Sequence, residues 1–221
     1  MIDLYMSAHK KPTGRMEPLA IPANNSLAGP HWLCLKFPDN KADIEGLIVE
    51  YFIKHFDNFI RIERNHEDSF DFTVWHKNGQ LYLELMELIY HDSNANLSPY
   101  IEENASVYPD KFAEQCIECI ISKSNKYTSH SNTPIVLLTY VTHWRFILPE
   151  LVKNIITRRL SSEITNFKSV YHLHIFKPGS SQLDRLYPCD DNILSKIHDE
   201  EFSNKAYTMV NPSSFNVLKY K

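Results

Sequence analysis

Only five glycines occur in 221 residues, and none of them builds a phosphate-cradling loop or a Gly-x-Ser-x-Gly elbow. Nucleotide-binding, kinase and serine-hydrolase readings all need such glycines, so none of them has support here. Cysteine is sparse as well. Cys34, Cys116, Cys119 and Cys189 include one Cys-x-x-Cys pair. That pair falls within a helical pattern and has no second pair at zinc-site spacing, so packing accounts for it. No apolar run approaches the roughly 18 residues of a membrane span, and the N-terminal MIDLYMSAHKKPTGRMEP has no signal-peptide core. A cytoplasmic protein with no membrane partner is expected. Excess positive charge is missing too. The formal net charge is −4, so any binding to nucleic acid needs a local basic patch.

What remains is an ordinary globular composition, 43% hydrophobic and 23% charged, in a length that suits one domain. Residues 1–29 carry proline, glycine and asparagine without periodicity and read as an irregular arm. A short strand is expected over 31–37. Residues 43–56 then form an amphipathic helix, with Ile44, Leu47, Ile48, Tyr51, Phe52, His55 and Phe56 on one arc. Glu45 falls inside that arc, and a carboxylate on a buried face needs a partner. Strands are expected at 59–64, 70–76 and 80–89. Pro109 opens a second helix that runs to about 127. The apolar run at 133–142 suits a strand covered on both faces. A third helix at 148–160 and a strand at 169–176 follow. The tail is looser, with a helical segment near 190–202 and a last strand at 215–220. The order predicts an α/β fold with a mixed central sheet flanked by helices.

The central hairpin is the most informative stretch. Lys77-Asn78-Gly79-Gln80 predicts a two-residue Asn-Gly turn of type I′. Pairing Lys77 with Gln80 sets Trp75 opposite Tyr82, Thr73 opposite Glu84, and Asp71 opposite Met86, all on one side. Asp71 and Glu84 then become diagonal neighbours at roughly 7–8 Å. Two carboxylates so placed can converge on one hard divalent cation, Mg²⁺ or Mn²⁺, which would assist attack on a phosphodiester. The other reading of the same residues is a strand-opening aspartate and a surface glutamate. Against it, Leu81, Leu83 and Leu85 make one face apolar, while Tyr82, Glu84 and Met86 leave the other only half polar.

The run SFDFTVWHKNGQLYLELMEL resembles the hairpin of the PD-(D/E)XK nucleases, an aspartate opening one strand and a glutamate-x-lysine within the next. Asp71 matches the aspartate, Glu84 the acidic position, and Met86 stands where the lysine is expected. Glu45 matches the acidic residue that many members carry on the preceding helix. FAEQCIECIISKSNKY, TPIVLLTYVTH and VYHLHIF resemble the helix–strand–helix–strand continuation, so the likeness covers about residues 40–177. It implies a restriction-endonuclease-like core at 30–177 and a C-terminal extension at 178–221. It also implies a metal-dependent DNA endonuclease whose metal ligands are Asp71, Glu84 and Glu45. An inactive nuclease-fold module that binds nucleic acid or protein is the alternative.

A thioether has neither charge nor proton to offer, so Met86 cannot do a lysine's work. Some members of that superfamily place the lysine on another element, and Lys123 lies inside the apolar arc of the second helix. It can reach the hairpin, although a lysine near a helix C-terminus more often snorkels to solvent. Lys153, Arg158 and Arg159 give the third helix a positive character that could touch phosphates, or form an ordinary solvated surface. His172 and His174 alternate on one strand face. No third ligand accompanies them at a telling spacing, so a half-exposed polar face is expected.

Overall fold

The computed structural model describes residues 37–65, 70–89, 105–127, 133–142, 146–163, 165–177, 179–195 and 207–209. The arm at 1–29, the strand expected over 31–37 (Phe37 aside) and the last strand at 215–220 lie outside the described residues.

Helix α1 spans Lys41–Ile53 and starts at Asn40, whose side-chain oxygen accepts from the Asp43 N–H at 2.8 Å. That bond satisfies one of the donors every helix leaves open at its first turn. Strands β1 (Phe59–Arg64), β2 (Phe72–His76) and β3 (Gly79–Glu87) follow as an antiparallel meander. Helix α2 (Pro109–Asn125) crosses to β5 (Ile135–Tyr140), and helix α3 (Glu150–Leu160) crosses to β6 (Ser169–Lys177). The strand β4 (Ala105–Val107) pairs with β8 (Tyr207–Met209) as a separate two-stranded sheet. With β7 (Ser180–Tyr187), the main sheet has the order β1-β2-β3-β5-β6-β7, parallel at β3–β5 and β5–β6 and antiparallel elsewhere. It is therefore a six-stranded mixed sheet in an α/β fold.

The sheet does not end at residue 177. β7 (Ser180–Tyr187) returns antiparallel along β6 as its sixth strand. Gly179 makes the reversal possible with φ 78°, a left-handed conformation that side chains disfavour, and its N–H donates to the Tyr51 hydroxyl at 2.7 Å. Of the helix expected near 190–202, the short α4 (Asp191–Leu194) lies in the described part.

The turn of the central hairpin also differs from expectation. His76 pairs with Gly79, so the two loop residues are Lys77 and Asn78, and Gly79 opens β3 with φ 138°. The Lys77 N–H is committed to the Asn58 carbonyl at 3.2 Å, beside β1, and is not spent on Gln80. Thr73 consequently faces Tyr82 rather than Glu84. Each partner moves two positions along β3. Because side chains alternate with period two, the faces survive the slip. Extending the register brings Asp71 directly opposite Glu84 instead of diagonal to it.

Alternation sorts the two faces of the sheet. Glu84 pairs with Leu137 and Leu137 with Val170, so these residues, with His172 and its partner Asp184, share one face. Helices α2 and α3 cover that face through Lys123 to Glu84 and Lys153 to Asp184. Helix α1 covers the other, where the Phe52 ring meets that of Tyr171 at 6.0 Å. All six residues of β5 are buried, which explains its unbroken apolar run. Truncating Leu137, with no exposed surface, to alanine would cost roughly 2–5 kcal/mol. Among the described residues no helix is long and apolar enough to cross a membrane.

Candidate functional site

Asp71 sits at the mouth of β2 and Glu84 in the middle of β3, and the two are interlocked through backbone. The Asp71 carboxylate accepts from the Leu85 N–H at 2.7 Å, and the Asp71 N–H donates to Glu84 Oε2 at 3.3 Å. Each acid is thereby oriented by the strand that carries the other. Glu84 is almost fully buried, at 5% exposure. Burial, and then the charge of Glu84, push the Asp71 carboxyl above its ordinary value, while the Leu85 N–H and Lys123 pull it back. Two desolvated carboxylates side by side call for a cation.

Lys123 supplies one. Its Nζ lies 2.6 Å from Glu84 Oε1 and donates to the Leu85 carbonyl at 2.9 Å. The snorkelling expected of a lysine in this last turn of α2 does not occur, because the buried acids outbid the solvent. Tyr127, one turn on, also reaches Glu84 with its hydroxyl. Burial and the charge of Glu84 push that hydroxyl well up, so it stays a donor. The Tyr127 ring stacks on Phe70 at 4.8 Å, and Phe70 stacks on Tyr82 at 4.3 Å. Met86 points to the same face as Glu84 and is buried among apolar neighbours.

Glu45 is buried as its place on the helix predicts, but its oxygens are engaged elsewhere. Arg64 Nη1 lies 2.8 Å from Oε2, and Lys41 Nζ lies 3.2 Å from Oε1. Arg64 also donates to the Ala42 carbonyl at 2.8 Å and lies over the Phe72 ring. This cluster belongs to the face under α1, opposite Glu84. The two acidic groups still feel each other electrostatically, through Lys41, which lowers the Asp71 carboxyl, and at the buried Tyr140 hydroxyl. Burial first, then Glu87, Glu45 and Asp71, hold that hydroxyl well above its ordinary value. Of the three carboxylates expected to share one site, Asp71 and Glu84 are interlocked by hydrogen bonds, and Glu45 is held by Arg64 and Lys41. Among the described residues no group of three or more His, Cys, Asp or Glu has a metal-holding arrangement.

The basic residues of α3 do not form a common surface. Lys153 is nearly buried and lies 2.7 Å from both Glu150 and Asp184. Arg159 pairs with Asp110 at 2.8 Å, across to α2, and Arg158 is exposed. Lys153, named with Arg158 and Arg159 for a phosphate contact, makes an internal ion pair here. Of the histidine pair expected on a half-exposed face, His172 is buried and His174 is partly buried. The Thr139 hydroxyl donates to the Tyr171 carbonyl at 3.0 Å, so at 3.0 Å from His172 Nδ1 it acts as acceptor. That assigns the imidazole proton to Nδ1 and leaves a buried lone pair on Nε2. Burial chiefly, then His174, hold His172 down to about 3. Burial, then Lys153, hold His174 down to about 4.

Sequence reasoning overlooked Tyr127 and the two backbone groups of Leu85. Tyr127 had a signal, since it follows Lys123 by four residues on one helical face. No protein-family model, curated protein or solved structure matches this chain.

Proposed function

We propose that this chain is a divalent-metal-dependent phosphodiesterase acting on DNA, built on the PD-(D/E)XK plan, with Lys123 in place of the motif lysine. The order of elements supports the plan. A helix, three antiparallel strands and a crossover helix lead to a strand parallel to the third, with an acid at the start of β2 and another inside β3. One observation carries the reading: the Lys123 ammonium, 2.6 Å from Glu84, sits beside the acid pair despite coming from a different element than Met86.

Asp71 and Glu84 would hold Mg²⁺ or Mn²⁺, and they fit such an ion. They are oxygen donors in a half-buried place where burial already raises the Asp71 carboxyl, so added positive charge relieves a real penalty. When bound, such an ion supplies Lewis acidity for phosphodiester hydrolysis. The chain does the rest. The Leu85 N–H fixes the Asp71 carboxylate, and the Tyr127 hydroxyl and the Asp71 N–H fix Glu84. Lys123 brings a positive charge to the place where phosphate oxygens gain negative charge.

The test is Mn²⁺-dependent cleavage of single- and double-stranded DNA by wild type, Lys123→Ala and Met86→Lys. Wild type should cleave, Lys123→Ala should lose about a hundredfold or more, and Met86→Lys should add little. If all three fold and none cleaves, the nuclease reading gives way to a binding module.

A further inference from the structure

Lys123 holds Glu84 in a way that bears on how an ion would enter. Its ammonium takes Glu84 Oε1 at 2.6 Å and the Leu85 carbonyl at 2.9 Å, so one positive atom already bridges two oxygens of β3. A second cation brought to the same oxygens would stand within about 3–4 Å of the first. At that separation repulsion between a monovalent and a divalent charge is severe wherever water is scarce. The two cannot share Glu84 Oε1.

We propose that Lys123 is a resident counter-ion for the acid pair, and that an arriving divalent ion displaces it from Glu84 toward solvent and substrate. The inference rests on the metal reading above and deepens it, by stating what an ion must remove. Three features make the exchange cheap. The Lys123 side chain is 23% exposed, so its head has a way out. It belongs to the last turn of α2, where a positive charge stays favourable after release. Glu84 meanwhile keeps its bonds from the Tyr127 hydroxyl and the Asp71 N–H, and Asp71 keeps its bond from the Leu85 N–H. The acids therefore stay in place while the ammonium leaves. Once free, the ammonium is still tethered beside the site, available to a phosphate group that enters with substrate.

The experiment follows amine acetylation of wild type by acetic anhydride, read peptide by peptide with mass spectrometry, with and without Mg²⁺. Lys123 should be protected without the ion and acetylated several-fold faster at saturating Mg²⁺. The exposed Lys54, paired with Glu50 of α1 rather than with either acid of the pair, should not change. Calorimetry with Mn²⁺ gives the second arm. Lys123→Met, which removes the charge and keeps the stem, should bind about tenfold tighter than wild type. Lys123 protection unchanged at saturating Mg²⁺ overturns the proposal and leaves the metal reading standing. Wild type that takes up neither ion overturns both.

Discussion

The buried histidines make the stability of this protein acid-sensitive in a way that can be worked out. His172 is held down to about 3 and His174 to about 4, against an ordinary 6.5. Both folded values lie below the unfolded ones, so protons bind the unfolded chain better. The stabilising contribution is complete above about pH 6.5 and is lost as pH falls toward the folded values, at about 1.4 kcal/mol per unit for each residue. At pH 5, a unit and a half below the unfolded value, each histidine has lost about 2 kcal/mol and the pair about 4. Asp184, opposite His172 in the register, opposes the effect, and Lys153 reinforces it. Against a typical domain stability of about 5–15 kcal/mol, that is a large share. Urea unfolding at pH 7 and pH 5 measures it. Other groups titrate in the same window, so the informative quantity is the difference between wild type and His172→Asn, whose amide can still donate to Thr139. The variant should lose about 2 kcal/mol less than wild type over that interval. Equal losses in the two proteins would refute the burial argument.

Asp71→Asn should abolish Mn²⁺ binding, since it removes one of two charges and leaves Lys123 facing Glu84 alone; calorimetry that finds unaltered affinity defeats the acid-pair site. Arg64→Met should cost about 2–3 kcal/mol in thermal unfolding, below the usual figure for a fully buried pair because Arg64 is 42% exposed and Lys41 remains on Glu45. A loss under about 0.5 kcal/mol there means Arg64 is not what neutralises Glu45. The double variant Met86→Lys, Lys123→Ala should recover DNA cleavage lost in Lys123→Ala, because both side chains reach the Glu84 face. Failure to recover, in a folded protein, places the function of Lys123 in something other than charge.

Much of the architecture was legible because the patterns were local. The apolar run of β5, Pro109 at the start of α2 and the hairpin between Asp71 and Glu84 all announce themselves over a few residues. The misjudged features depend on distant partners. The turn slipped because the Lys77 N–H bonds to Asn58, which no local turn rule contains. β7 was passed over because Ser180–Tyr187 has no β-branched residue and forms a strand mainly by having β6 to pair with. Glu45 was read correctly as buried. Its counter-charge, Arg64, lies on a strand that periodicity alone cannot align with a helix. Lys123 was read as able to reach the hairpin, and it does; the solvated lysine that local statistics favour there and at Lys153 gives way because the sheet beneath decides whether a buried acid awaits.

A lysine two residues after Glu84 would deliver its ammonium from the same strand and onto the same face. In this chain α2 roofs that face, and Lys123 comes down from the helix to the same carboxylate. What the buried pair requires is a compensating positive charge near Glu84, and the requirement is indifferent to the element that supplies it. Once the helix meets it, position 86 is free to serve packing, and a buried methionine does so at 8% exposure without a second charge to desolvate. With Lys123 intact, a lysine added at 86 would crowd two ammonium groups around Glu84 and weaken the hold of each. With Lys123 removed, the same lysine would answer an unpaired acid.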